Sequence, residues 1–414
     1  DIIVRPQWIR KIAQQENGKF QFAAFIHESN ESSYTPLLIF INKRSGGQTG
    51  ANIYEKLLNL LNPRQIFLLD NSQTILQALE IYRGVANLHI CVFGGDGSVG
   101  WVLAKLAEVY DGPTNPPVAI CPLGTGNDLS RVLNWGREYE SKRLLTTLLQ
   151  IPAAEKAPLD RWHVELESIA ERQTPDVLNG PSFLRETNRL LYENFQMLPN
   201  SYFINYMSFG LDAAIALDFH DHRARKPSKF SSPWKNKVMY INESLKYVGD
   251  FAKASRWDLR GYMKVICDGV NLTYSLRNCH TLVILNIPGY ASGTNPWGKS
   301  STTFPNKEFS ENEDAFELET LHDGKRDESS TPTTMDRQDF GDKKLEIVGL
   351  SATHMGLIHV GFHGQRIAQC SHLTIELQTP MLAQLDGEPF YIPASVVVKV
   401  THSGQVMVLR YNSV

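Results

Sequence analysis

The chain is poor in cysteine, and the few it has are scattered: Cys91, Cys121, Cys267, Cys279 and Cys370 are five thiols in 414 residues, with no CxxC spacing. An odd, dispersed set excludes a disulfide framework and a structural zinc cluster, and fits a reducing, cytoplasmic setting. Long hydrophobic runs are lacking too. None approaches the roughly 18 residues of a spanning helix, so any membrane contact is expected to be peripheral and reversible. Nor is there an excess of charge: 41 Lys and Arg face 44 Asp and Glu, a net charge of −3, which argues against nucleic acid as a partner. Asp1 opens no signal-peptide pattern; without an initiating Met, the sequence reads as a piece of something longer. Neither Walker A nor GxGxxG describes the glycine stretch Phe93–Ser98, which disfavours P-loop and dinucleotide-binding readings of it, and no histidine pair has HExxH spacing. The sequence shows no internal repeat.

What is present, at 42% hydrophobic and 21% charged residues, is the composition of a folded protein of two or three domains. Leu37 to Ile41 is a short apolar run ending in Asn42-Lys43-Arg44-Ser45-Gly46-Gly47, a buried strand feeding a glycine turn. Tyr54, Leu57, Leu58 and Leu61 then keep helical spacing up to Pro63. Strands over Gln65–Asp70, Leu88–Phe93 and Val118–Cys121 alternate with helices over Thr74–Tyr82 and around Val99, Val102, Leu103 and Leu106. This alternation predicts an α/β domain, a parallel sheet flanked by helices, with ligands collecting beyond the carboxyl ends of its strands.

After residue 160 the runs become short and β-branched: Tyr262–Ile266, His280–Ile287, Lys344–Val348, Leu357–Phe362, His372–Leu377, Val396–Val400 and Gln405–Leu409. They predict a β-rich second domain interrupted by one helix carrying Val238, Ile241, Leu245 and Val248. The expected division is an extension over 1–35, a nucleotide domain over 36–160, a β-rich domain over 161–400 with an unpacked polar insertion at 299–339, and a last strand over 401–414.

Phe93-Gly94-Gly95-Asp96-Gly97-Ser98 sets three glycines and a carboxylate between a strand and a helix N-terminus. Glycines let backbone N–H groups approach phosphate oxygens, the helix dipole favours their charge, and the carboxylate can recruit Mg²⁺. Alone, the motif is as consistent with a plain βα turn. Pro122-Leu123-Gly124-Thr125-Gly126-Asn127-Asp128 repeats the composition at the next strand end, and Ser45-Gly46-Gly47 at the first, so three such loops point to one phosphate site.

The two longer loops, extended to Trp101-Val102-Leu103 and to Leu129-Ser130-Arg131, resemble the catalytic domain of eukaryotic diacylglycerol kinases. The resemblance continues through Leu159-Asp160-Arg161-Trp162, Asn205 to Ala213, Asn286-Ile287-Pro288-Gly289-Tyr290, His354-Met355-Gly356, Arg366 to Gln369 and Gln384 to Pro389. It implies a two-domain lipid kinase fold with the active site between the domains. Here Ser98 replaces a usual Thr, Lys43 stands in place of a common Asn-Pro turn, and Phe390 replaces a usual Trp.

The resemblance implies ATP as co-substrate with Mg²⁺, contacted by Asn42, Ser45, Gly46, Gly94, Gly95, Gly97, Ser98, Gly124, Thr125, Gly126 and Asn127. Asp96, Asp128 and Asp160 would serve the metal, and Asp342 a separate metal position. Asp386 is the expected base toward the lipid hydroxyl, with Asp96 its rival and Glu388 turned to nucleotide or metal; read alone, Asp386-Gly387 is a solvated hairpin turn. Asn205, Tyr206 and Asp212 are expected at the lipid mouth. Arg225, Lys229 and Trp234, within a basic, aromatic stretch, are expected on an anionic phospholipid surface. The activity so implied is transfer of the γ-phosphate of ATP to 1,2-diacylglycerol. Its rivals are a kinase for sphingosine, ceramide or NAD and a binding module without turnover.

Overall fold

The computed structural model describes residues 2–14, 20–25, 34–47, 49–169, 198–225, 258–298, 335–358 and 361–412. A short antiparallel hairpin, β1 (Ile9–Gln14) and β2 (Phe20–Ala24), comes first and packs on helix α2. The αβ alternation follows: β3 (Leu37–Ile41), α1 (Thr49–Leu60), β4 (Ile66–Leu68), α2 (Ser72–Tyr82), β5 (His89–Gly94), α3 (Asp96–Val109), β6 (Val118–Pro122), α4 (Asp128–Val132) and α5 (Leu144–Gln150). The four strands are parallel in the order β4-β3-β5-β6. The chain leaves β3 toward one edge and returns at β5 toward the other, so the loops after β3 and β5 part there. Such a switch point is where open α/β sheets bind ligands.

The strands are buried on both faces, which is why they read as unbroken apolar runs. Leu38, Phe40, Ile90, Val92, Val118 and Ile120 pack with Ile75, Leu79, Val99 and Leu103 of α2 and α3. The alternate residues Leu37, Ile39, Ile41, Cys91, Phe93 and Cys121 pack with Ile53 and Leu57 of α1 and Leu144 and Leu148 of α5. All five cysteines are buried free thiols.

Two long strands, β7 (Glu155–Ser168) and β18 (Val396–Arg410), pair antiparallel, and β18 also joins β6 in parallel. The expected boundary at 160 and the expected last strand from 401 both fall inside them. The apparent break after Val400 is a bulge between His402 and Gln405, where Gly404 has φ +84°. Beyond β7 come β8 (Tyr202–Phe203), β9 (Tyr206–Gly210), α6 (Leu211–Arg225), β10 (Met263–Cys267), β11 (Val270–Asn271), β12 (Thr281–Leu285), β13 (Leu345–Leu350), α7 (Ala352–Leu357), β14 (Gln365–Cys370), β15 (His372–Leu377), β16 (Met381–Leu385) and β17 (Glu388–Ile392). On the other flank of β18 the sheet continues antiparallel through β15, β10 and β11, while β14-β13-β12-β9-β16-β17 form a second, wholly antiparallel sheet.

The second half is thus β-rich, with two corrections. The strand expected over Leu357–Phe362 does not form at the described residues of that range: Ser351 and His354 form a capping box that starts α7 instead, and Leu357 closes it. Helix α6 was not expected; its first two turns, from Leu211 to Leu217, are almost wholly buried, so no amphipathic stripe marked it. The expected helix around Val238–Val248 and most of the expected insertion lie outside the described residues.

Candidate active site

A cavity of about 970 Å³ opens at the carboxyl ends of β3, β5 and β6. Its other wall comes from β9, α6 and the β16–β17 turn. Three loops meet in it. Gly95 and Gly124 touch backbone to backbone: a Cβ on Gly95 would lie 2.9 Å from the Cα of Gly124. A Cβ on Gly46, whose φ is +66°, would lie 3.1 Å from the carbonyl oxygen of Leu123. Asn42 Nδ2 donates to Ser98 Oγ at 3.0 Å, tying the first loop to the second. Asn127, left-handed at φ +52°, accepts from the Gly124 N–H at 2.9 Å and donates to its carbonyl at 2.8 Å, fixing the third.

Asp96 opens α3, yet its carboxylate caps α4, accepting from the N–H groups of Asp128 (3.0 Å) and Leu129 (3.2 Å). Asp128 accepts in turn from Gly293 (2.6 Å) and Ser292 (3.2 Å), part of a run of three left-handed residues, and Tyr206 Oη donates to it at 3.4 Å. Asp386 and Gly387, at φ +46° and +90°, form the two-residue turn joining β16 to β17, the Asp-Gly geometry that a hairpin favours. This turn is half-buried and lines the cavity. Asp386 points inward and accepts from three consecutive N–H groups, those of Ile204 (3.1 Å), Asn205 (2.9 Å) and Tyr206 (3.0 Å).

Burial pushes all three carboxyl groups above the usual range. Asp96 is raised by burial against several hydrogen bonds. Asp128 is pushed to about 7 by burial and then by the charge of Asp96. Asp386 is pushed to about 6 by burial, opposed by its three backbone bonds, with the charge of Asp96 adding to the rise. The charge of Asp96 thus opposes ionisation of both Asp128 and Asp386.

The expected residues divide. Asn42, Ser45, Gly46, Gly95, Asp96, Gly97, Ser98, Gly124, Thr125, Gly126, Asp128, Tyr206, Asp212, Asp386 and Glu388 line the cavity. Gly94 and Asn127 are buried behind it; a Cβ on Gly94 would lie 2.4 Å from that of Ser98. Asn205, expected at the lipid mouth, is 2% exposed, and its amide favours the ionised form of Asp96. Asp160 stands elsewhere: fully buried, it accepts from the Lys343 N–H (2.6 Å) and Gln405 Nε2 (2.9 Å) and pairs with His402 Nε2 at 2.8 Å. Asp342 lies near it and is raised by burial. Neither lines the cavity. Arg225 is exposed at the end of α6 and paired with Asp221 at 2.8 Å; Lys229 and Trp234 lie outside the described residues.

These blocks have counterparts in known proteins. Residues 36–157 match the diacylglycerol kinase catalytic domain, and residues 202–389 the diacylglycerol kinase accessory domain. The chain belongs to the diacylglycerol kinase family. It is 36% identical over 419 residues to human diacylglycerol kinase zeta, an alignment covering 95% of this chain and 40% of that one. To human diacylglycerol kinase iota it is 34% identical over 434 residues, covering 98% and 36%. To diacylglycerol kinase 2 of Arabidopsis thaliana it is 34% identical over 381 residues, covering 91% and 46%. The chain therefore spans less than half the length of these relatives.

In this diacylglycerol kinase family member, several cavity residues were not expected there. Ala104, Lys105 and Glu108 continue the face of α3 that Gly97 and Trp101 begin, opposite the buried Val99, Val102, Leu103 and Leu106. That stripe is readable as the polar side of an amphipathic helix. Ser292 and His220 arrive from distant segments and have no local signal.

Proposed function

We propose that this chain transfers the γ-phosphate of ATP to the free hydroxyl of 1,2-diacylglycerol, giving phosphatidic acid and ADP. The observation that carries the reading is the meeting of three glycine loops beside three cavity-lining carboxyl groups whose ionisation is disfavoured. Phosphoryl transfer asks for positioning and charge neutralisation, and glycine loops at helix starts supply the first. Mg²⁺ fits the donors present: all are oxygen, and among the described residues no three His, Cys, Asp or Glu side chains form a ready-made cage. A cation bound through one or two carboxylates, the substrate phosphates and its own waters suits that arrangement. Asp96 would hold it, and its chemistry would be to neutralise the charge on the phosphates. Asp160 and Asp342 would act elsewhere, as structural groups.

The residues then divide the work. Gly95, Gly97, Gly124 and Thr125 receive phosphate, with Asn42 and Ser98 holding their loops in register. Asp386, near 6 and facing the cavity, takes the proton of the lipid hydroxyl as its oxygen bonds to the γ-phosphorus. The bond from that phosphorus to the β–γ bridging oxygen breaks, and ADP leaves with the electron pair. Tyr206 and Asp212 face the acceptor side. Among the described residues no helix is long and apolar enough to cross a membrane; reversible docking on an anionic bilayer through the stretch beginning at Arg225 completes the reading.

Labelled ATP offered with diacylglycerol, sphingosine, ceramide or NAD tests it. Label in phosphatidic acid alone is expected. Label in NAD or sphingosine but not in diacylglycerol would replace this acceptor with another.

A further inference from the structure

Asn205 lies between β8 and β9 and touches both rival bases. Its side-chain amide favours the ionised form of Asp96, and its backbone N–H donates to Asp386 Oδ1 at 2.9 Å. Its own carbonyl is engaged by the N–H groups of Asn286 (2.9 Å) and Ile287 (3.3 Å), so the residue is held on every side. One atom is the exception. Asn205 Oδ1 is buried and has no hydrogen-bond partner among the described residues.

A buried acceptor without a donor destabilises the fold. Turning the amide over gives no relief, because an oxygen without a hydrogen would then face the carboxylate of Asp96. What satisfies Oδ1 is a donor seated beside Asp96. Mg²⁺ keeps several of its waters when bound, and such a water beside Asp96 is a donor of that kind.

We propose that Asn205 is a positioning residue for the metal: its Oδ1 accepts from a water on the cation that Asp96 holds. This rests on the reading of Asp96 as the metal-facing carboxylate. Partners that orient a metal ligand are worth roughly tenfold to a hundredfold in metal affinity.

The test is ATP binding by titration calorimetry, with Mg²⁺ and with EDTA, on the whole chain. Wild type should bind ATP more tightly with Mg²⁺. Asn205→Leu, of similar shape, should lose about tenfold or more of that gain while binding metal-free ATP as wild type does. Asn205→Asp keeps the acceptor, loses the donor and adds a charge, so it should weaken metal-free binding and keep or enlarge the gain. Should Asn205→Leu fail to fold, Asn205→Asp against wild type decides. A full gain in Asn205→Leu, or equal losses with and without metal in both variants, would overturn the proposal. Absence of any gain in the wild type would instead defeat the reading of Asp96.

Discussion

A methyl group on Gly124 would lie 2.7 Å from the Cα of Gly95, and no real side chain tolerates that contact with backbone. The two loops therefore meet only because both positions are glycine, and the cavity takes its shape from their contact. Gly124→Ala or Gly95→Ala should push the loops apart by a fraction of an ångström to an ångström and reduce turnover about a hundredfold. Gly97→Ala meets nothing within 4 Å, so it should melt at the wild-type temperature and yet bind nucleotide more weakly, since its methyl enters the cavity. Thermal melts paired with ATP titrations check this. Equal nucleotide affinity in all three variants would contradict it.

Asp96 and Asp160 are both expected at the metal from the sequence, but one lines the cavity and the other is fully buried on β7. Asp160→Asn leaves buried donors unanswered and should lower stability by about 1–3 kcal/mol, with ATP affinity preserved in the folded fraction. Asp96→Asn should reverse the pattern, sparing stability more than metal-supported nucleotide binding. Urea unfolding and Mg²⁺-dependent ATP titrations on both variants separate the roles.

Asp386 is pushed to about 6 and must be ionised to take a proton. The rate should fall roughly tenfold per pH unit as pH drops below that value. Asp386→Asn should lose most activity at every pH while its turn, still Asn-Gly, keeps its left-handed geometry. A profile flat from pH 7 down to the ordinary carboxylate range would remove Asp386 as the base.

Glu346 on β13 is fully buried, accepting from Gln369 Nε2 at 3.1 Å, and burial pushes it to about 8. A carboxyl raised on folding holds its proton longer in the folded state. Stability should thus be undiminished below the unfolded carboxylate range, decline as pH rises toward 8, and carry its full penalty above. Glu346→Gln, which keeps an acceptor for Gln369, should melt near the wild type at acid pH and higher than it above pH 8, by on the order of a few kcal/mol. Melting curves across that range decide; a variant less stable at alkaline pH would contradict the burial argument.

The parallel sheet was legible because its strands are buried on both faces and its helices keep a clean stripe, as Tyr54, Leu57 and Leu61 do. The glycine loops were legible for a local reason, since only glycine fits where Gly95 meets Gly124. Long-range relations were not. Asn205 belongs to the carboxylates through partners at Asp96 and Asp386, far from it along the chain. The left-handed run Ala291-Ser292-Gly293 reads as an ordinary loop until Asp128 is placed beneath it. Asp386-Gly387 was correctly a hairpin turn; that it faces inward depends on the Ile204–Tyr206 N–H groups, which no local pattern announces.

The most direct measurement is phosphatidic acid formed from labelled ATP and diacylglycerol in mixed micelles, for wild type and Asp96→Ala, with Mg²⁺ and with EDTA. Label is expected in the lipid only for wild type with Mg²⁺. Undiminished transfer by Asp96→Ala, or no transfer by wild type under any condition, would contradict the account.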